Sequence, residues 1–565
     1  MTRIGSIFTI FVTLAGGSTA VAAQEAEPAS AHAKWNAVDK LFAQWDNWKS
    51  PGASLAVVRD GEVLYTRGYG NAHLEYPVPI TPSTIFHIAS ISKQFTCFAA
   101  VLLAQDGKLS LDDDIRKHLP EVPNFGRTIT IRHLMHHTSG LRDQWELLVL
   151  AGWRMDDVIT LEHIMRMVAR QRELNFDPGS EHLYCNTGYT LLAEIVARVS
   201  GQSFPEFTEQ RIFKPLGMSR THFHDDHQLI VPGRAYSYAP NGDGFRKSVL
   251  SYANAGATSL FTTAEDMARW LVNLDDHRVG GAAAVEQLHQ RGKLTDGKQI
   301  NYALGLSHSK HRGLQLVGHG GADAGFRTSA VRVPEHKLGV VVLSNLASFN
   351  PGRLARQVVD IVLSEHLEPV AEDAEGADDS AEPVDVEPAV LDRYVGRYRL
   401  DTGMTVTLTR QGGRLISQLE ELDPAELVAR SQSEFFHKQL GARVVFEDNG
   451  DEPATAFAAH VDGQTIRGTR MQTAEAEQLD EFVGVYDSPE LHTTYTLLLE
   501  DGQLIARHQR RPDIEFTFIG DDEFSGSEWF FGKVKFERQA EQVIGFRVTG
   551  GRVRNLHFQR RAASP

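Results

Sequence analysis

The sequence predicts an α/β layered domain of about 340 residues, followed by two small all-strand units of about 85 residues each. Three observations predict it. A strand hairpin near residue 54 and an apolar strand near residue 338 bracket a helix-rich stretch, and strands at both ends with helices between them pack as layers. Glu368 to Pro388 carries nine Asp or Glu and no Lys or Arg, so it has little apolar surface to bury and its charges repel, which marks a linker. Beyond it, Leu391-Asp392-Arg393-Tyr394-Val395-Gly396-Arg397-Tyr398 returns 88 residues later as Leu479-Asp480-Glu481-Phe482-Val483-Gly484-Val485-Tyr486.

The 565-residue length exceeds one ordinary domain. With 42% apolar and 23% charged residues the composition is globular. The net charge of −16 argues against a general nucleic-acid binder, which needs a basic face, and more than half of it belongs to the linker. Two cysteines exclude a disulfide scaffold and a four-thiolate zinc site.

At the N-terminus, Arg3, the apolar run Ile7 to Leu14 and the small residues Ala20 to Ala23 read as an export leader cut after Ala22 or Ala23. The apolar run is too short to span a membrane and Gly16-Gly17 interrupt it. The expected divisions are a leader at 1–23, a first domain at 24–367, a linker at 368–388 and strand units at 389–478 and 479–565. The mature protein is expected in the periplasm or secreted, without stable membrane insertion. There a Cys97–Cys185 bridge is open.

Within the first domain, Ser54 to Arg59, the turn Asp60-Gly61 and Val63 to Arg67 read as a hairpin. Ser90 to Gln105 reads as a helix closed by Gly107. A second apolar helix covers Tyr189 to Val199, Leu338 to Leu343 is a buried strand, and a last amphipathic helix covers about Gly352 to Glu365. In the repeat, Thr405 to Thr409 alternates, as does Tyr495 to Leu499 before an Asp501-Gly502 turn. Such alternation builds antiparallel hairpins, hence small barrels or sandwiches.

Ser90-Ile91-Ser92-Lys93 puts a hydroxyl and an amine three residues apart on one helical face. Serine is a weak nucleophile until a base takes its proton. Burial and the positive end of a helix can turn lysine into that base or a proton relay. The same helix start offers N–H groups to a developing oxyanion. Ser307-His308-Ser309-Lys310 also fits the spacing, but lies in a polar stretch without an apolar helix and reads as a chance match. Tyr184 and Asn186, just before the second helix, add a phenol able to move protons and an amide able to hold a peptide group. His319-Gly320-Gly321 lets a strand approach a ligand closely.

The order Ser-x-x-Lys, Tyr-x-Asn, His-Gly-Gly, at separations of about 94 and 135 residues, resembles the penicillin-recognising serine hydrolases, the serine β-lactamase superfamily. Ile131-Arg132-His133-Leu134-Met135-His136-His137-Thr138-Ser139-Gly140-Leu141 and Phe176-Asp177-Pro178-Gly179-Ser180 resemble its branch of class C β-lactamases, D-Ala-D-Ala peptidases, esterases and D-aminopeptidases. The resemblance covers about residues 40 to 365. Ser139-Gly140-Leu141-Arg142-Asp143, Gly318-His319-Gly320-Gly321 and the domain order look most like D-aminopeptidase. It implies an α+β β-lactamase/transpeptidase-like catalytic domain, with an antiparallel sheet covered by helices, and then two small antiparallel β-barrels.

It also implies Ser90 as the acylated nucleophile, Lys93 and Tyr184 sharing proton transfers, and Asn186, His319, Gly320 and Gly321 binding substrate. The N–H groups of Ser90 and Ala322 would form the oxyanion hole. His319 replaces the lysine of β-lactamases and binds a carboxylate less firmly, which tilts the expectation toward peptidase or esterase work. In D-aminopeptidase a loop of the last barrel reaches the active site; the corresponding stretch here, about Gly520 to Trp529, is shorter, and whether the second barrel reaches the site is open. The substrate would be a small molecule or short peptide, with no cofactor and no metal. A D-aminopeptidase-like enzyme is expected, with a class C-type β-lactamase or carboxylesterase and a non-catalytic penicillin-binding sensor as alternatives; a homodimer is open.

Other clusters are set aside. His133, His136 and His137 have helical spacing, and His222, His224, Asp225, Asp226 and His227 crowd one loop, but the chemistry needs no metal. Cys97 and Cys185 read as buried free thiols, and Trp45, Trp48, Trp145 and Trp153 as core.

Overall fold

The computed structural model describes residues 29–369 and 384–562, apart from short stretches at 402–403, 420–423, 438–439, 448, 462–463, 472–478 and 521. The expected leader and most of the expected linker lie outside the described residues.

The first domain is built on a six-stranded antiparallel sheet. The Asp60-Gly61 turn joins β1 (Ala53–Arg59) to β2 (Glu62–Tyr69). They are followed by β3 (Ser307–His311), β4 (Leu314–Asp323), β5 (Phe326–Val333) and β6 (Leu338–Ser344), and the sheet order is β3-β4-β5-β6-β1-β2. The helices that concern the sheet and the site are α1 (Ala29–Phe42), α2 (Ser92–Gln105), α3 (Gln144–Leu150), α4 (Asn186–Ser200), α5 (Ala264–Asp276) and α6 (Pro351–Val362).

Strand periodicity separates two cores. Leu55, Val57, Val340 and Val342 face α1 and α6 through Val38, Phe42, Leu354 and Val358. Ala56, Val58, Val341 and Leu343 face the opposite layer, including Leu271 of α5. Full burial of one such Val or Leu is worth about 1.5–3 kcal/mol. Helix α2 is apolar nearly all round, and every residue from Ser92 to Leu103 is buried. Ser307 and Lys310 lie on edge strand β3, where the helical face needed to pair them does not exist.

The C-terminal half forms two closed eight-stranded barrels, not sandwiches. The first runs from strand Gly396–Leu400 to strand Gln464–Arg470, the second from Gly484–Ser488 to Leu556–Arg560. A short helix, α7 (Pro388–Tyr394), precedes the first. The repeat is visible in the closing seams, where Tyr398 pairs with Arg470 and Tyr486 with Arg560. Each tyrosine hydroxyl donates to the carbonyl four residues back, Tyr394 O at 3.0 Å and Phe482 O at 2.7 Å. Closure leaves no unpaired sheet edge.

The barrels relate differently to the first domain. Leu147, Leu150 and Leu192 share one apolar core with Tyr495, Phe530 and Phe531 of the second barrel, whereas the first barrel has a core of its own. The fully buried Arg142 locks the second barrel in place. Its Nη1 donates to both Glu490 carboxylate oxygens at 2.9 and 2.7 Å, and its Nε and Nη2 donate to Arg554 O at 3.2 and 2.9 Å.

Candidate active site

Ser90 sits on a 3₁₀ turn, Ala89–Ile91, that leads into α2. Ala89 takes a left-handed backbone (φ 49°), which costs a non-glycine residue on the order of 1–3 kcal/mol. The turn leaves Ser90 partly exposed while Lys93 is fully buried one turn on. Strand β4 runs beside this turn because residue 321 is glycine: a Cβ there would lie 2.3 Å from Ile88 O. Thr328 Oγ1 donates to the same carbonyl at 3.0 Å. Ala322 is thereby brought beside the Ser90 turn, and Gly320 lies exposed on the same strand.

Lys93 Nζ donates to Ser90 Oγ at 3.0 Å, Asn186 Oδ1 at 2.9 Å and Ala257 O at 2.7 Å. The Ala257 carbonyl reaches it because Gly256 (φ 105°) crosses α4, where a Cβ would lie 2.4 Å from Tyr189 O. All three acceptors are uncharged. Burial therefore dominates and pushes the Lys93 pKa down to about 7, with Asp143 opposing the shift and Arg552 adding to it. The Tyr184 hydroxyl lies toward Ser90, and its ring centroid lies 4.8 Å from Lys93 Nζ. Burial raises the phenol well above its usual range, the Ser90 hydroxyl only partly offsetting it, so Tyr184 keeps its proton at neutral pH.

Asn186 begins α4 and is tied at both ends. Its Nδ2 and backbone N both donate to Asp143 Oδ2, at 2.9 and 2.6 Å. One amide N–H remains for a ligand. His319 Nε2 meets Tyr302 Oη at 3.0 Å, and its ring centroid lies 6.2 Å from that of Tyr184. Desolvation, then the Lys93 charge, push His319 down to about 4, so it faces the site uncharged at neutral pH.

The second barrel reaches the site through its turn at 550–555, and Trp529 lines the same cavity wall at the domain junction. Arg552 places its guanidinium carbon 5.0 Å from the Tyr184 ring centroid. Its backbone N donates to Glu146 Oε2 at 2.6 Å, and its carbonyl accepts from Asp143 N at 3.3 Å. Burial raises the Glu146 carboxyl to about 8. Among the described residues no carboxylate pairs with the Arg552 side chain.

The clusters set aside have structural surroundings. His137 Nδ1 accepts from Cys185 N at 2.9 Å and its ring lies 4.1 Å from that of Tyr184, so it props the segment carrying the phenol. His133 joins the capping box with Thr130. His222 and His224 pack on Phe261, and among the described residues no three His, Cys, Asp or Glu converge as a metal site would require. Cys97 and Cys185 are unbridged, and burial pushes both thiols up to about 12, away from thiolate chemistry. Trp48 is 72% exposed, contrary to a core reading; Trp145 stacks on Tyr252 and Trp45 packs on Phe349.

The sequence profile described as Beta-lactamase matches residues 38–364, and one described as Domain of unknown function (DUF3471) matches residues 380–470. A D-aminopeptidase of Gluconobacter oxydans (strain 621H) is 28% identical over 530 residues, covering 90% of this chain and 96% of that protein. Penicillin-binding protein 4* of Bacillus subtilis (strain 168) is 28% identical over 438 residues, covering 74% of this chain and 94% of that one. In fold, the octameric penicillin-binding protein homologue from Pyrococcus abyssi superimposes with a TM-score of 0.54 at 23% identity, over 77% of this chain and 99% of that one. A profile match across more than half of the chain, on a helix-covered antiparallel sheet, makes this protein a member of the beta-lactamase family and a serine hydrolase.

Proposed function

We propose that the protein is an exported serine hydrolase that works through an acyl-enzyme on Ser90 and cleaves peptides or amides containing D-residues. The observation that carries this reading is the 3.0 Å contact between Ser90 Oγ and a buried lysine amine with a pKa of about 7. Neutral Lys93 takes the Ser90 proton as Oγ bonds to the substrate carbonyl carbon. The N–H groups of Ser90 and Ala322 hold the oxyanion. Tyr184 donates its proton to the departing amine; in deacylation its phenolate takes a proton from the attacking water, and protonated Lys93 returns its proton to Ser90 Oγ as the ester bond breaks. The substrate class follows the relatives named D-aminopeptidase. Export rests on the leader pattern alone; no helix among the described residues is long and apolar enough to cross a membrane.

A second reading is favoured by Arg552. A guanidinium beside Tyr184 repels the ammonium of a free amino end and attracts a carboxylate, which supports cleavage near a C-terminal D-residue. A D-alanine anilide and an N-acyl-D-Ala-D-Ala peptide separate the two readings by kcat/KM.

Labelling with a fluorophosphonate probe tests the nucleophile. Wild-type protein is expected to take up one label per chain and Ser90→Ala none; equal labelling of both would sink the assignment. In Arg552→Ala, loss of the cation that helps keep Lys93 neutral is expected to move the acid limb of kcat/KM from near pH 7 to higher pH, so activity falls most below neutrality. An unshifted limb would remove Arg552 from the electrostatics of the base.

A further inference from the structure

We propose that the lumen of the first barrel holds the apolar tail of the substrate, a linear acyl or alkyl chain whose ester or amide end is cleaved at Ser90. This deepens the hydrolase reading and rests on it. A cavity of about 750 Å³ runs from the barrel lumen to the domain junction; all eight strands contribute to it, with a wall of aliphatic side chains such as Leu400, Val406, Leu427, Val444 and Ala459. Ligand sites run to roughly 300–1,000 Å³, whereas protein interiors are otherwise close-packed and each void forfeits contacts.

The sister barrel shows what a filled lumen looks like. There Tyr486, Tyr495, Phe516, Phe546 and Phe558 are all buried, with Phe546 and Phe558 stacked at 4.8 Å. In the first barrel the rings gather under α7, where Tyr394 stacks on Phe446 at 4.1 Å and meets Phe435. That end is plugged. The remaining space continues to the first domain, where Asp143, Trp145 and Leu183, with Arg552 of the second barrel, complete its wall. Leu183 adjoins Tyr184, Asp143 holds Asn186 and Arg552 overlies Tyr184, so lumen and active site share one wall.

Two further features suit an amphiphile. Met404 and Leu440 border the same cavity while 43% and 41% exposed, and form an apolar entrance. Within the lumen His437 is 3% exposed, and among the described residues its Nδ1 has no hydrogen-bond partner in another residue, which leaves a polar group for a ligand amid aliphatic walls. A chain in the lumen brings its polar end to the Arg552 guanidinium, which overlies the Tyr184 ring.

The test is a series of p-nitrophenyl esters from C2 to C14 with the full-length protein. We expect kcat/KM to rise about threefold to fourfold per added methylene until the lumen is full. Ala459→Phe and Ala442→Phe, on different strands, should each cut the C12-to-C4 ratio at least tenfold. In parallel, cis-parinaric acid should bind Ser90→Ala protein saturably at one site per chain and be displaced by dodecanoate but not butyrate. A flat series overturns the proposal even if the probe binds, because the tail would then not belong to the substrate. Hydrolysis of short esters without probe binding overturns the lumen site and spares the hydrolase reading. Probe binding without hydrolysis of any ester retires the reading on which the proposal rests, and the proposal with it.

Discussion

Lys93→Met should lower kcat/KM by about 10²–10⁴-fold, the range spanned by positioned acid–base groups, and abolish the acid limb near pH 7. The substitution conserves length and apolar volume but removes the amine that touches Ser90 Oγ, Asn186 Oδ1 and Ala257 O. Two buried acceptors are then left unpaired, at about 1–3 kcal/mol each, so a fall in melting temperature should accompany the kinetic loss. Tyr184→Phe is the companion. Its loss should be large for an anilide, whose amine must leave protonated, and small for a p-nitrophenyl ester, whose phenolate leaves unaided. Steady-state kinetics on both substrates decide it. Equal losses would assign Tyr184 to activating Ser90 instead, and an acid limb that persists in Lys93→Met would show that Lys93 is not the base.

Arg142→Ala should destabilise the protein by about 3–5 kcal/mol, the cost of removing one partner of a buried ion pair. Glu490 is 4% exposed and would keep a carboxylate with no cation beside it. The Arg554 carbonyl loses both Arg142 donors in the same step, and the Asn555 carbonyl keeps only Arg547 Nη1. The turn at 550–555 then loosens, so catalysis should suffer as well as stability, although Arg142 touches no substrate. Denaturant unfolding measures the first effect and the pH profile the second: the acid limb should move the same way as in Arg552→Ala. Arg142→Lys should recover only part of either, since one ammonium cannot reproduce five donors in a planar fork.

What could be read in the sequence is what is local. Ser90 and Lys93 share a face because they are three residues apart, and the β1–β2 hairpin announces itself through Asp60-Gly61. The barrels follow from alternation and the 88-residue echo. What could not be read is what packing assembles. Asp143 and Arg552 meet across more than four hundred positions, and strand alternation tells which face is buried but not which neighbour covers it. The turn at 550–555 looks like any polar Gly-rich turn. Its one signal is two arginines, Arg552 and Arg554, flanking an apolar Val553 just after Gly550-Gly551. The lumen left a fainter trace: strands of the first barrel carry Leu, Val and Ala where strands of the second are rich in Phe and Tyr.

The core shared by the first domain and the second barrel sets an order of events in synthesis. Leu147, Leu150 and Leu192 are covered by residues that include Tyr495, Phe530 and Phe531, yet the whole first barrel is made in between. At about 5–20 residues per second, the stretch from α6 to Phe531 takes roughly 8–35 s to synthesise. Throughout that interval the first domain presents an unfinished apolar face, a substrate for holding chaperones and an obstacle to premature folding. The catalytic half is completed only once the second barrel has been made.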